Sequence, residues 1–204
     1  MTEAEEQALV GALDSGTWKL DNFNGPKMIQ FYGVGIDYKT RTVTNTTRPA
    51  VPPFLQPLFQ KMRDEVPILN DFFPNQVGCN AYHRKEGQHI KAHVDDRTLS
   101  GPFIANLSLL CHSYMTFTPE RSQPKTLSCP LVVIDDGPPS LPVFRTPEGA
   151  PATDERLEVL LPRRSLQIMT GDSRYYWKHA ILTENLLDDR RISITMRQLS
   201  LGLK

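Results

Sequence analysis

Seven residues near the C-terminal end, Arg191-Ile192-Ser193-Ile194-Thr195-Met196-Arg197, alternate without interruption between polar and apolar side chains. A period of two belongs to a β-strand, whose successive side chains leave opposite faces. Arg191, Ser193, Thr195 and Arg197 therefore share one face, and Ile192, Ile194 and Met196 the other. In a barrel such a strand buries both faces. A buried guanidinium is costly unless an anion meets it, and its planar fork suits a carboxylate. The two arginines' Cα atoms lie roughly 20 Å apart at about 3.3 Å per residue, too far to grip one small carboxylate from the same side. Two anionic ends, or one co-substrate and one substrate, are implied; a solvated edge strand is the competing reading.

The rest of the chain supplies partners for this strand. Thr2 and Glu5 form a capping-box pattern ahead of Ala8, Leu9, Ala12 and Leu13, which predicts a short N-terminal helix. Leu55, Leu58, Phe59, Met62 and Val66 predict a second helix after the paired prolines at 52 and 53. Strands are expected at 18–21, 27–33, 36–43 as an extension of the sheet, 76–82, 88–95, 103–110 and 112–118, then at 156–161, 165–169 and 191–199. Trp18, Phe31, Tyr32 and Tyr38 gather in the first of these. Eight of the 17 prolines fall between Pro119 and Glu155, which predicts a long surface insertion containing at most an extra hairpin. Helices do not alternate with strands and no phosphate-binding glycine loop appears. The expected fold is mainly β with flanking helices: a double-stranded β-helix, or jelly roll, with the N-terminal helices on one face.

At 204 residues the chain is long enough for one domain, 1–204, with the Pro-rich insertion at about 119–155. Twenty-three basic and 23 acidic residues cancel, so no overall field announces a nucleic-acid partner, though a local basic face stays open. Cys79, Cys111 and Cys129 share no metal or redox spacing, and their odd number fits a reducing compartment. With an acidic N-terminus and no membrane-length apolar run, a soluble monomer of the cytoplasm and/or nucleus is expected, with no membrane partner.

His93 and Asp95 are two residues apart, so on a strand both would leave one face. One further histidine would complete a two-histidine, one-carboxylate set, which leaves open positions on Fe(II) for a bidentate co-substrate and oxygen. His179 is the candidate for its context, ahead of His83, His89 and His112; a core histidine with satisfied hydrogen bonds is the bland alternative. Asn80 and Tyr82 alternate onto one face and could hydrogen-bond an α-keto acid.

Taken in order, Asn80-x-Tyr82, His93-x-Asp95, the segment Gly171 to His179 and Arg191-x-Ser193-x-Thr195-x-Arg197 resemble the AlkB family of Fe(II)- and 2-oxoglutarate-dependent dioxygenases. Residues 161–179 look especially like the branch containing the tRNA wobble-uridine hydroxylase. The resemblance implies that His93, Asp95 and His179 hold iron. Asn80, Tyr82, Arg191, Ser193 and Arg197 would hold 2-oxoglutarate, with Arg191 on its distal carboxylate and Arg197 toward the keto-acid end. It places the substrate wall at Phe31, Tyr32 and Tyr38, with Asp96 facing substrate. The implied cofactors are Fe(II), 2-oxoglutarate and O2, and the implied partner is a modified nucleobase in RNA or DNA, RNA (tRNA) favoured. The alternatives are the same chemistry on a protein or lipid, or a non-catalytic jelly-roll binding module.

Overall fold

The computed structural model describes residues 1–37, 39–44, 48–120, 132–134, 144–145 and 156–200. Helix α1 (Glu3–Asp14) starts as the capping box predicts: Glu5 N donates to Thr2 Oγ1 at 3.2 Å and Thr2 N to Glu5 Oε2 at 2.6 Å. Helix α2 (Gln56–Glu65) has Pro57 in its first turn, where no helical N–H is lost, and ends just before Pro67.

The strands are β1 (Lys19–Asp21), β2 (Lys27–Gly33), β3 (Gly35–Asp37), β4 (Thr42–Thr44), β5 (Gln76–His83), β6 (Ile90–His93), β7 (Ser100–Leu109) and β8 (Ser113–Pro119). They continue with β9 (Val132–Ile134), β10 (Phe144–Arg145), β11 (Leu157–Leu161), β12 (Ser165–Met169), β13 (Trp177–Ile181) and β14 (Arg190–Leu199). A five-residue helix, α3 (Gly171–Tyr175), links β12 to β13. The major sheet runs β1-β2-β5-β14-β7-β12-β9 and the minor sheet β10-β11-β8-β13-β6, with every described pairing antiparallel. This is the jelly-roll arrangement expected from the strand pattern. Among the described residues no helix is long and apolar enough to cross a membrane.

The alternation in β14 divides the interior. Ile192, Ile194 and Met196 join Leu9, Leu13, Leu58, Phe59 and Met62 in a layer between the major sheet and the two helices. At about 1.5–3 kcal/mol for each fully buried aliphatic or aromatic side chain, this layer is the main stabilising contribution on that side. The opposite face of β14 looks into the space between the sheets, where Tyr82, Ile104, Met115, Phe117, Met169 and Trp177 form a second apolar cluster around polar side chains.

Three expectations differ from the structure. Residues 35–44 do not extend the sheet; β3 and β4 form a separate hairpin, because the Asp37 carboxylate accepts from Lys39 N (2.8 Å) and Thr40 N (3.3 Å) and turns the chain back. The two strands within 119–155 are not a hairpin: β9 pairs with β12 and β10 with β11, in different sheets. The rest of that insertion lies outside the described residues. Strand β13, which carries His179, lies outside the strand ranges expected above.

Candidate active site

His93 closes β6, and β13 lies beside it with His179 as its direct cross-strand partner. The two rings are 4.5 Å apart between centroids, tilted by 49°. Strand β6 stops at His93, so Asp95 sits in the turn toward β7 and not on the strand, a correction to the spacing argument. Its Oδ1 is nonetheless 3.8 Å from His93 Nε2. One ligand atom from each of His93, Asp95 and His179 lies within 4.8 Å of the others, the only such trio of His, Cys, Asp or Glu found among the described residues. His93 Nδ1 is 2.8 Å from the Lys91 carbonyl oxygen. A carbonyl accepts only, so Nδ1 carries the proton and Nε2 presents its lone pair to the cluster. Two imidazoles and one carboxylate with uncovered positions are the donor set suited to Fe(II).

The electrostatics agree with a cation site. Burial alone would push the Asp95 carboxyl up, but Arg197, with the two imidazoles, outweighs it and holds Asp95 well below the usual carboxylate range. Burial, reinforced by His93, pushes the His179 imidazole down to about 3, so it is neutral at physiological pH. The other histidines are engaged elsewhere: His83 Nδ1 with Gln88 Oε1, His89 Nδ1 with the Gly87 carbonyl, and His112 Nδ1 accepting from Arg163 N.

From this cluster a cavity runs between the sheets, lined by Asn80, Tyr82, Asn106, Ser193, Thr195, Arg197 and, at its inner end, Arg191. Tyr82 faces Arg191 across β5 and β14, as Asn80 faces Ser193. Arg191 is 0% exposed; its Nε donates to Ser108 Oγ at 3.1 Å, while Nη1 and Nη2 have no partner. The Asn80 Oδ1 is likewise unpartnered. A fully buried guanidinium with its outer fork unsatisfied is strongly disfavoured unless an anion completes it. Burial also pushes the Tyr82 phenol up to about 12, so it remains a hydrogen-bond donor. The cavity thus has a cation-binding cluster at one end and a waiting fork at the other, which fits a dicarboxylate that chelates metal at one end. Arg197 is not a free anion grip: its Nη2 already donates to Asp95 Oδ2 at 3.0 Å.

A wider opening of about 260 Å³ adjoins the cluster, lined by Asp21, Phe23, Ile29, Phe31, Ile36, Arg48, Gln76, Asp95, Asp96, Ser100 and Arg197. Phe31 forms part of its wall, with the Arg48 guanidinium 4.7 Å from the ring centroid. Asp96 is there too, paired with Arg41 at 3.2 Å. Tyr32 is a correction: one residue beyond Phe31 it leaves the other face of β2, packs against the helix-side core and donates to Gln30 Oε1 at 3.0 Å. Tyr38 lies outside the described residues. Sequence reasoning passed over Asn106 and Arg48; alternation through Ile104-Ala105-Asn106-Leu107-Ser108-Leu109 carried a signal for the first, and Arg48 had none.

Residues 20–197 match the model of the 2OG-Fe(II) oxygenase superfamily, and the chain belongs to that superfamily. The residues that carry the match include the whole of the cluster and cavity just described. Within the superfamily the chain is AlkB-like. It is 31% identical over 202 residues to the mouse "Alpha-ketoglutarate-dependent dioxygenase alkB homolog 4", covering 98% of this chain and 65% of that protein. It is 26% identical over 200 residues to a Caenorhabditis elegans "DNA N6-methyl adenine demethylase", covering 97% of this chain and 57% of the relative. The chain therefore spans 65% and 57% of the length of these two curated relatives. The solved structure of OsALKBH1 superposes with a TM-score of 0.58 at 14% identity, over 96% of this chain and 90% of that one, which agrees with the fold. Members of the superfamily are oxygenases that use Fe(II), 2-oxoglutarate and O2.

Proposed function

We propose that this chain hydroxylates or oxidatively demethylates a modified nucleobase in nucleic acid, with RNA (tRNA) favoured over alkylated DNA. In this reading His93, Asp95 and His179 hold Fe(II), Asn80, Tyr82, Arg191 and Ser193 hold 2-oxoglutarate, and Arg197 stands at the keto-acid end through its bond to Asp95. The observation that carries the chemistry is the Arg191 fork, buried and unpartnered in the cavity that His93 and His179 also line. When bound, iron, 2-oxoglutarate and O2 supply the oxidising power for inserting oxygen into a substrate C–H bond, with succinate and CO2 released.

The protein's own part is placement. Arg191 fixes the distal carboxylate and Tyr82 offers a donor beside it, so the keto-acid end is directed to the histidines. Arg197 holds Asp95 ionised and oriented, and the apolar side chains Ile90, Met115, Met169 and Ile181 restrict water around the centre. The opening beside the cluster offers a phenyl face at Phe31 and polar groups at Asp96 and Arg48, the combination that receives a flat heterocycle with polar edges. The AlkB-like relatives, one of them named a DNA demethylase, support a nucleobase, and the sequence resemblance to the wobble-uridine branch supports RNA.

Succinate formation from 2-oxoglutarate with Fe(II) and ascorbate tests the chemistry. Turnover is expected to need iron and to be lost in His179→Ala; iron-independent turnover, or a fully active His179→Ala, overturns it. Mass spectrometry of nucleosides from treated tRNA, other RNA and alkylated DNA tests the substrate. Change confined to DNA overturns the RNA preference, and no change in any of them moves the chemistry to a protein or lipid.

A further inference from the structure

We propose that Arg174 and Arg97 are positioning residues that set Asp95 against His179, and so determine how tightly the three-residue cluster takes a metal ion. The inference rests on reading His93, Asp95 and His179 as the metal site. Two of the three are fixed by β-pairing, since His93 and His179 face each other across β6 and β13. Asp95 has no such support: it lies between the end of β6 at His93 and the start of β7 at Ser100. Something other than a ladder must place its carboxylate.

The guanidinium of Arg174 does so from α3. Its Nη1 donates to the Asp95 carbonyl at 3.3 Å, and its Nη2 donates to the Asp96 carbonyl. The reciprocal bond comes from the turn itself: Arg97 Nε donates to the Tyr175 carbonyl at 2.8 Å. The second end of Arg97 is pinned by Glu120, whose Oε2 accepts from Nη2 at 2.6 Å, and Glu120 N in turn donates to the Tyr176 carbonyl at 3.1 Å. Two arginines thus stitch the Asp95–Arg97 turn to the end of α3 in both directions.

The place of α3 gives the stitch its consequence. Only Tyr176 separates α3 from β13, so the segment that grips Asp95 is continuous with the strand that presents His179. The distance between the two ligands is then set by one short rigid path. The side-chain carboxylate is held by Arg197 at 3.0 Å, so Asp95 is fixed both at its main chain and at its side chain.

Packing alone gives no reason for this arginine. Arg174 is 2% exposed and its Nε has no partner, so the interior carries a buried cation with one unsatisfied donor where an apolar side chain of similar volume would be less costly. What the guanidinium supplies, and a methionine cannot, is two donors at fixed separation for two successive carbonyls. Groups that orient metal ligands in this way typically change affinity about 10–100-fold when removed.

The test uses the full chain with Co(II) as the probe, read by its visible absorption and by titration, alongside thermal melting without metal. Arg174→Met is expected to weaken Co(II) binding about 10–100-fold and to shift the absorption bands. Arg174→Lys, which keeps the charge but lacks the planar fork, should recover part of the loss. A folded Arg174→Met that binds Co(II) within about twofold of wild type, even with a lower melting temperature, makes the residue merely structural and overturns the proposal. If Arg174→Met does not fold, Arg97→Gln decides, because that side chain is 42% exposed and its loss is tolerable to the fold. It should show a smaller loss of affinity in the same direction, and an unchanged affinity overturns the proposal. Wild-type protein that binds Co(II) no better than His179→Ala instead removes the metal-site reading on which this one stands.

Discussion

Arg191 and Tyr82 are direct cross-strand partners on β14 and β5, with the guanidinium 5.7 Å from the phenol ring centroid, and both side chains are shut away from solvent. Replacing Arg191 by Met should separate binding from stability. The Michaelis constant for 2-oxoglutarate is expected to rise about 100-fold, the worth of a lost charge-assisted fork. The ligand-free variant should melt at or above the wild-type temperature, since it no longer buries an unpaired cation. A variant that is simply less stable, with unchanged 2-oxoglutarate affinity, contradicts the assignment.

His179 gives the metal-free protein a defined acid sensitivity. Its folded pKa is pushed to about 3, below the value of about 6.5 in an unfolded chain. Between these values the unfolded state binds a proton that the folded state does not, so stability falls as pH drops from about 7 toward 3. Melting temperature followed across that range should decline less steeply in His179→Gln than in wild type. Parallel curves would show that the imidazole is not the source.

Asp14 acts at lower pH, in the same direction. Arg190 donates to both of its oxygens, at 2.6 and 2.8 Å, and Trp18 Nε1 to Oδ1 at 2.8 Å, which holds the carboxyl below its ordinary value. A depressed folded pKa contributes stability above the unfolded value of about 3.9 that is lost as pH falls through the folded one. Asp14→Asn should therefore melt lower than wild type at neutral pH, and the two curves should converge as pH falls through the depressed folded value.

Glu6 fastens α1 to the body of the fold. Its carboxylate is buried and accepts from Leu110 N (2.7 Å) and from Arg163 Nε (2.7 Å), with Arg163 Nη2 at 2.6 Å. Glu6→Ala is expected to lower the unfolding free energy by about 2–4 kcal/mol in urea titration, through the orphaned amide and guanidinium. A change below about 0.5 kcal/mol would mean that the helix docks through Leu9 and Leu13 alone.

Phe31 and Tyr32 offer a paired test at the opening. Phe31→Ala should weaken binding of a single-stranded oligonucleotide carrying the substrate base about 5–100-fold, the worth of one stacking contact. Tyr32→Phe, on the other face of β2, should leave binding unchanged. Fluorescence anisotropy distinguishes the two, and equal losses would place the stacking wall elsewhere.

Much of the architecture was legible because it rests on periodicity. The alternation of β14 fixes which side chains meet the helices and which meet the cavity, and Thr2 with Glu5 marks the start of α1. Strand β13 escaped notice for a physical reason: in Trp177-Lys178-His179-Ala180-Ile181 all but Lys178 are buried, so no alternation marks it. His93 and Asp95 were legible as a pair, yet the strand argument for them was only half right, because the carboxylate is placed by arginines from other segments. Contacts such as Arg174 on the Asp95 carbonyl, 79 residues apart in sequence, leave no local pattern. At the opening, alternation should have separated Phe31 from Tyr32, since neighbours on a strand cannot share a face.

Among the described residues β6 is the outermost strand of the minor sheet, four residues long, with β13 as its ladder partner and a single bond on its other side from Lys91 N to the Asn24 carbonyl at 2.7 Å. A metal ion bridging His93 to His179 would join that edge strand to its neighbour by coordination as well as by hydrogen bonds, and so act as a staple at the edge of the sheet. Metal occupancy and local order at this edge are then one equilibrium. Hydrogen exchange at Ile90 to His93 should slow as metal is added, while exchange in β14 stays the same.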